Sequence, residues 1–106
     1  MLIVTSETVA NHKIVKTLGL VRGNTVRARH VGKDIMAGLR NIVGGEIHEY
    51  AKLIAESREQ TLDRMVSEAQ TLGANAIVTT RFTTSVMMGG AAELLAVGTA
   101  VVIEPE

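Results

Sequence analysis

The closing run Leu94 to Ile103 reads Leu-Leu-Ala-Val-Gly-Thr-Ala-Val-Val-Ile. Apart from Gly98 and Thr99 it is apolar at both odd and even positions, and ten residues is a strand's length rather than a membrane span's. A strand that is apolar on both faces is covered on both. This requirement constrains the chain more than any other stretch: something must pack on each side of the sheet that holds this strand.

One cover is legible upstream. From Glu46 to Gly73 the residues Ile47, Tyr50, Ala51, Ile54, Ala55, Leu62, Met65, Val66, Ala69 and Leu72 recur mostly at gaps of three and four, the period of one helix face. Glu49, Lys52, Glu56, Glu59, Asp63 and Glu68 occupy the other side. Lys52 can pair with Glu56, and Arg64 with Glu68, one turn apart. Gly44-Gly45 breaks any earlier helix, Glu46 suits the positive end of the new one, and Gly73 stops it. Arg58 falls on the apolar stripe and is read as a stem lying along its edge.

The remaining segments read as strands and one shorter helix. Leu2-Ile3-Val4 is a short β-rich start. Lys13 to Arg29 is a long strand region in which Ile14, Leu18, Leu20, Val26 and Ala28 share one parity, while Arg27 and Arg29 project from the other face. Gly23-Asn24 is a hairpin turn or a bulge, and one long bent strand is the preferred reading. Asp34 to Val43 forms a short helix with an Ile35, Leu39, Ile42 stripe. Ala76 to Ser85 and Leu94 to Ile103 form an antiparallel hairpin around Gly89-Gly90, with Met87 and Met88 at its tip. The expected fold is α+β in two layers: a small antiparallel sheet on one long and one short helix.

All 106 residues fit a single domain, 1–106. The 11 basic and 11 acidic side chains cancel, so there is no electrostatic case for nucleic acid or an anionic membrane. Cysteine is absent, which excludes disulfides and thiolate metal sites. No charged-then-apolar leader and no apolar run near ~20 residues is present, so a cytoplasmic location is expected. Phe82 and Tyr50 are the sole aromatics. A core of Ala, Val, Ile, Leu and Met buries little area per side chain, and a lone chain so built has modest stability. The short helix cannot fully cover the second face of the sheet. Self-association through a closed ring or paired sheets is the expected remedy.

Asp34-Ile-Met-Ala-Gly-Leu-Arg-Asn-Ile-Val-Gly-Gly45, then Tyr50, then Ala69-Gln-Thr-Leu-Gly-Ala-Asn-Ala-Ile-Val78, then Gly98-Thr-Ala-Val101, resembles the YbjQ-like family end to end. The resemblance implies a subunit shaped like that of dodecin, assembled as a homopentamer, in a family associated with heavy-metal binding. Val97 stands where members often carry Tyr, and Asn75 where they often carry Asp.

Candidate chemistry is sparse. A divalent metal ion would draw on His30, Glu46, His48 and Glu49, with Met87 and Met88 as soft ligands. The His-Glu-x-x-His pattern fails because position 52 is Lys. A small anionic ligand would draw on Arg27, Arg29, Arg40, Gly44, Gly45 and Tyr50, since helix N-termini offer free N–H groups. Glu46 at that end argues against an anion. No Gly-x-Ser-x-Gly elbow, Gly-x-Gly-x-x-Gly fingerprint or Walker motif occurs. Three readings stand: a homo-oligomer binding a small ligand or metal ion at its interfaces, an enzyme whose site is assembled across subunits, or an interaction module.

Overall fold

A computed structural model describes residues 1–27, 45–86 and 92–106; for residues 27, 45–51, 53 and 86 it describes the backbone. The elements in chain order are β1 (Leu2–Ile3), β2 (His12–Arg27), α1 (Gly45–Thr71), β3 (Ala76–Val86) and β4 (Ala92–Pro105). The expected short helix at 34–43 and the hairpin tip at 87–91 lie outside the described residues.

The sheet has four strands in the order β1-β3-β4-β2. β4 is antiparallel to both neighbours, as a hairpin partner of β3 and along the length of β2. The sheet is mixed rather than antiparallel throughout, because β1 runs parallel to β3 at Ala76 and Ile77. Two residues of β1 suffice because the backbone goes on bonding beyond them: Val4 N–H to Ile77 O at 2.9 Å, and Thr80 N–H to Val4 O at 3.1 Å.

α1 ends where its glycine predicts. Gly73 takes φ 83°, a left-handed conformation that costs glycine nothing, and Ala74 N–H reaches back to Ala69 O at 3.1 Å. The buried line of the helix is Ser57, Thr61, Met65 and Ala69, each four residues from the last. This corrects the expected stripe: Ile54 and Leu72 are exposed, and the two hydroxyl residues hold the centre. Their small size lets the helix settle on Gly23 of β2, where an added Cβ would sit 2.5 Å from the Met65 backbone nitrogen and closer still to Thr61 O. Gly23 is therefore neither turn nor bulge. It pairs regularly with Ala96, and the helix presses on it.

The hydroxyls are satisfied among themselves. Thr61 Oγ1 donates to Ser57 O at 2.8 Å and lies 2.8 Å from Thr25 Oγ1. A buried hydroxyl group removed from such a cluster costs about 1–2 kcal/mol. Thr61→Val, nearly isosteric, is expected to lower the melting temperature by roughly 4–8 °C, read by calorimetry.

The strand faces also differ from the parity reading. Val21, Gly23 and Thr25 face α1 together with Leu94, Ala96 and Gly98, whereas Leu20 (66% exposed) and Val26 (52% exposed) lie on the outer face. Gly23, on which α1 rests, sets which parity turns to the helix. The register shifts between Ile14 and Lys16 and between Thr17 and Gly19 each flip the parity, so beyond Gly19 they cancel, and Ile14 and Leu20 share the outer face.

The core cluster Val21, Met65, Ala69, Ile77, Ala96 and Ala100 fills the space between helix and sheet. A second cluster, Ala76, Val78 and Val101, lies on the opposite face under Val4, Val9 and Ile103. The N-terminal segment thus covers one end of the outer face, a cover that no local pattern in the sequence indicates. Toward the other end Leu95, Val97 and Thr99 are half-buried. The Cα radius of gyration is 17.4 Å, against about 13 Å for a compact chain of this length.

Where the N-terminal segment, a strap along residues 4–9, meets β3, Thr79 and Thr80 together oppose only Gly98 between the pairs Val78↔Thr99 and Arg81↔Val97. Thr79 takes φ 55° there, with its N–H bonded to Ser6 O at 2.9 Å. A β-branched residue in this region is strained by about 1–2 kcal/mol. Thr79→Gly removes that strain, and a gain of about 1 kcal/mol in unfolding free energy is expected from denaturant titration.

Candidate functional site

Of the residues singled out for chemistry, Arg27, Gly45, Glu46, His48, Glu49 and Tyr50 fall within the described backbone. Arg27 closes β2, opposite Ala92. Gly45 opens α1, and Glu46, His48, Glu49 and Tyr50 occupy its first two turns. By helical spacing positions 46, 49 and 50 share one side, while position 48 lies about 100° from position 49. Arg29, His30, Arg40 and Gly44 lie outside the described residues, as do Met87 and Met88. Among the described residues no three His, Asp or Glu side chains converge as metal ligands.

Two features of the described surface were not anticipated. The first is an open groove of about 770 Å³ between the N-terminal half of α1 and β3. Its floor is Ala55, Leu62 and Phe82, and its rim carries Lys52 and Arg58 against Glu56 and Glu59. The helix lies over β2 and leaves β3 uncovered here, so Phe82, the chain's one phenylalanine, is 49% exposed. Arg58 lies at the edge of this apolar strip, as its place on the stripe suggested. A rim with two charges of each sign selects neither an anion nor a cation.

The second is the treatment of the β2 edge. Arg64 and Glu68, expected to pair one turn apart, both reach the edge strand. Arg64 Nη1 donates to Asn24 O, and Glu68 Oε2 accepts from Arg22 N–H at 3.1 Å. Both bonds occupy backbone groups that point away from the sheet. Position and charge alone showed a pair one turn apart; only the packing of α1 on β2 brings the strand edge within reach.

Asn75 shows the same economy of backbone groups. Its Nδ2 donates to Ile103 O at 2.9 Å and its Oδ1 accepts from Ile103 N–H at 2.8 Å. The amide thus acts as one more rung beside the strand, a role a carboxylate cannot fill with both bonds intact.

A helix on one face of a mixed four-stranded sheet, with an elongated outline, defines a small α+β fold. No helix among the described residues is long and apolar enough to cross a membrane. The chain belongs to the YbjQ-like family, described as "Putative heavy-metal-binding", whose model matches residues 1–104. It is 56% identical over 104 residues to a UPF0145 protein of Dehalococcoides mccartyi, covering 98% of this chain and 100% of the relative. A UPF0145 protein of Archaeoglobus fulgidus is 59% identical over 101 residues, covering 95% and 94%. The family therefore spans bacteria and archaea. A crystal structure of a protein of unknown function from the DUF74 family of Pediococcus pentosaceus shares the fold, with a TM-score of 0.65, 16% identity and 98% of each chain covered.

Proposed function

We propose that the chain works as a homo-oligomer, a closed ring of dodecin-like subunits with five copies expected from the family resemblance, that binds a small ligand or metal ion where subunits meet. The observation carrying this is the outer face of the sheet. Leu20 and Val26 are exposed there beside half-buried Leu95 and Val97, and the N-terminal segment covers only the other end. Apolar side chains left in water on a sheet face, here interleaved with Arg22, Asn24 and Arg81, support an association site. The elongated outline supports the same reading, since copies packed side by side bury what a solitary subunit leaves in water.

The ligand half of the reading rests on the family's description and on the polar junction at the start of α1. Glu46, His48, Glu49 and Tyr50 on one element give a neighbouring copy's equivalents something to complete. Three or four convergent ligands are needed for a closed site. Repetition around an axis supplies them where the described residues of one chain do not.

Native mass spectrometry of protein purified without chelator, with element analysis on the same sample, tests both halves. The expected result is a single oligomer, five-membered, retaining a metal ion or small molecule in proportion to its subunits. A monomer at micromolar concentration overturns the assembly. An oligomer free of any retained species overturns the binding.

A further inference from the structure

The two edges of the sheet are treated differently. Along β2 the outer edge is blocked. Arg64 and Glu68 occupy Asn24 O and Arg22 N–H, register shifts distort it near Val15 and Leu18, and Lys13 and Lys16 place charge on it. These are the devices by which proteins prevent unwanted strand pairing. Along β3 the outer edge is paired from Ala76 to Thr80 by β1 and the strap, and Arg81 Nη1 donates to Thr5 O at 2.9 Å. From Phe82 to Val86 no described residue pairs with it. That stretch, Phe-Thr-Thr-Ser-Val, carries no charge, no proline and no bulge.

The ladder shows which groups are free. In antiparallel pairing, alternate residues turn their N–H and C=O toward a given neighbour and away from it. Arg22 and Asn24 face away from β4, so Gly23 faces β4 and bonds with Ala96. Ala96 then faces away from β3, and Leu95 and Val97 exchange bonds with Thr83 and Arg81. Phe82, Thr84 and Val86 are left with their backbone groups turned outward.

We propose that the Phe82–Val86 edge of β3 accepts a strand from a second copy of this chain, extending the sheet across the subunit boundary. The inference rests on the assembly reading above and names the contact that reading leaves open. A second copy, rather than a loose peptide, is the occupant for two reasons. The apolar outer-face residues Leu95 and Val97 lie in the next strand, so a folded neighbour covers the face and completes the edge together, whereas a peptide completes only the edge. The Phe82–Val86 stretch is also uncharged, so a copy of the same chain meets no charge repulsion along this edge. Edge pairing supplies main-chain bonds and direction, and the covered face supplies area.

Thr84→Pro removes one outward N–H that no described residue accepts, a substitution edge strands tolerate. Light scattering and native mass spectrometry of the full chain should show the wild-type oligomer giving way to a folded monomer, with far-ultraviolet dichroism unchanged. In the wild type the amides of Phe82, Thr84 and Val86 should exchange at least about 100-fold more slowly than in an unstructured chain. A Thr84→Pro variant that keeps the full subunit count, or wild-type oligomer whose three amides exchange freely, overturns the inference and leaves the assembly reading standing. If the proline variant does not fold, the exchange rates decide alone. A wild-type chain that is itself monomeric overturns both, including the case in which its edge gains protection only on adding a hexapeptide of the β3 sequence.

Discussion

Gly23→Ala is expected to cost about 3 kcal/mol or more, and to lower the melting temperature by at least about 10 °C. The new methyl group would meet the Thr61 carbonyl oxygen and the Met65 backbone nitrogen at 2.5 Å or less. Both are backbone atoms of a helix whose hydrogen bonds hold them in place, so no side-chain rotation relieves the clash. The helix must lift off β2, and it takes with it Met65 and the hydroxyl cluster of Thr25, Ser57 and Thr61. Gly98→Ala is the informative comparison. Its Cβ would meet Ile77 Cγ2 at 2.5 Å, the end of a side chain, with Thr80 Oγ1 and Val78 O at 3.3 Å. A rotamer change accommodates part of that, and a loss nearer 1 kcal/mol is expected. Equal losses for the two variants, measured by urea titration, would refute the view that helix backbone, not side-chain volume, sets the need for Gly23.

Val97→Lys separates assembly from folding. Val97 is half-buried on the outer face, flanked by Arg22 on β2 and Arg81 on β3. In a solitary subunit the lysine stem lies along the face and its ammonium reaches water, so the monomer loses little. Between two copies the same charge is buried without a partner, beside two arginines, at a cost of several kcal/mol. Each 1.4 kcal/mol is tenfold in an association constant. The expected result is an association constant weakened by about 100-fold or more, with the subunit's own dichroism retained. Analytical ultracentrifugation across a concentration series reads it. An unchanged oligomer would place the subunit contact elsewhere than on this face.

The extent of α1, the β3–β4 hairpin and the helix-ending glycine were all legible locally. Each depends on neighbours within a few positions: a 3.6-residue period, alternating strand residues, and a glycine free to take positive φ. The face of β2 was not legible, because it is set by the helix backbone resting on Gly23, a contact between residues dozens of positions apart. The centre of the buried helix face was not legible either. Ser57 and Thr61 look like surface residues until the helix is seen resting on Gly23. The short N-terminal strand was expected, but not its parallel pairing with β3 nor the cover its continuation provides. The candidate site was the least legible part. Its residue types suggested metal or anion chemistry, but no local spacing among them forms a recognised ligand motif, and among the described residues no three converge.

From the sequence alone came the α+β class, the long helix, the family, and the need for cover on both sides of the last strand. These are short-range or compositional properties, and they survive whatever the chain packs against. Tertiary structure alone decided which strand faces are buried, why Gly23 cannot carry a side chain, and which sheet edge is capped. Those depend on contacts between residues dozens of positions apart, such as Arg22 with Glu68 and Gly23 with Thr61, whose distance in space no local pattern encodes.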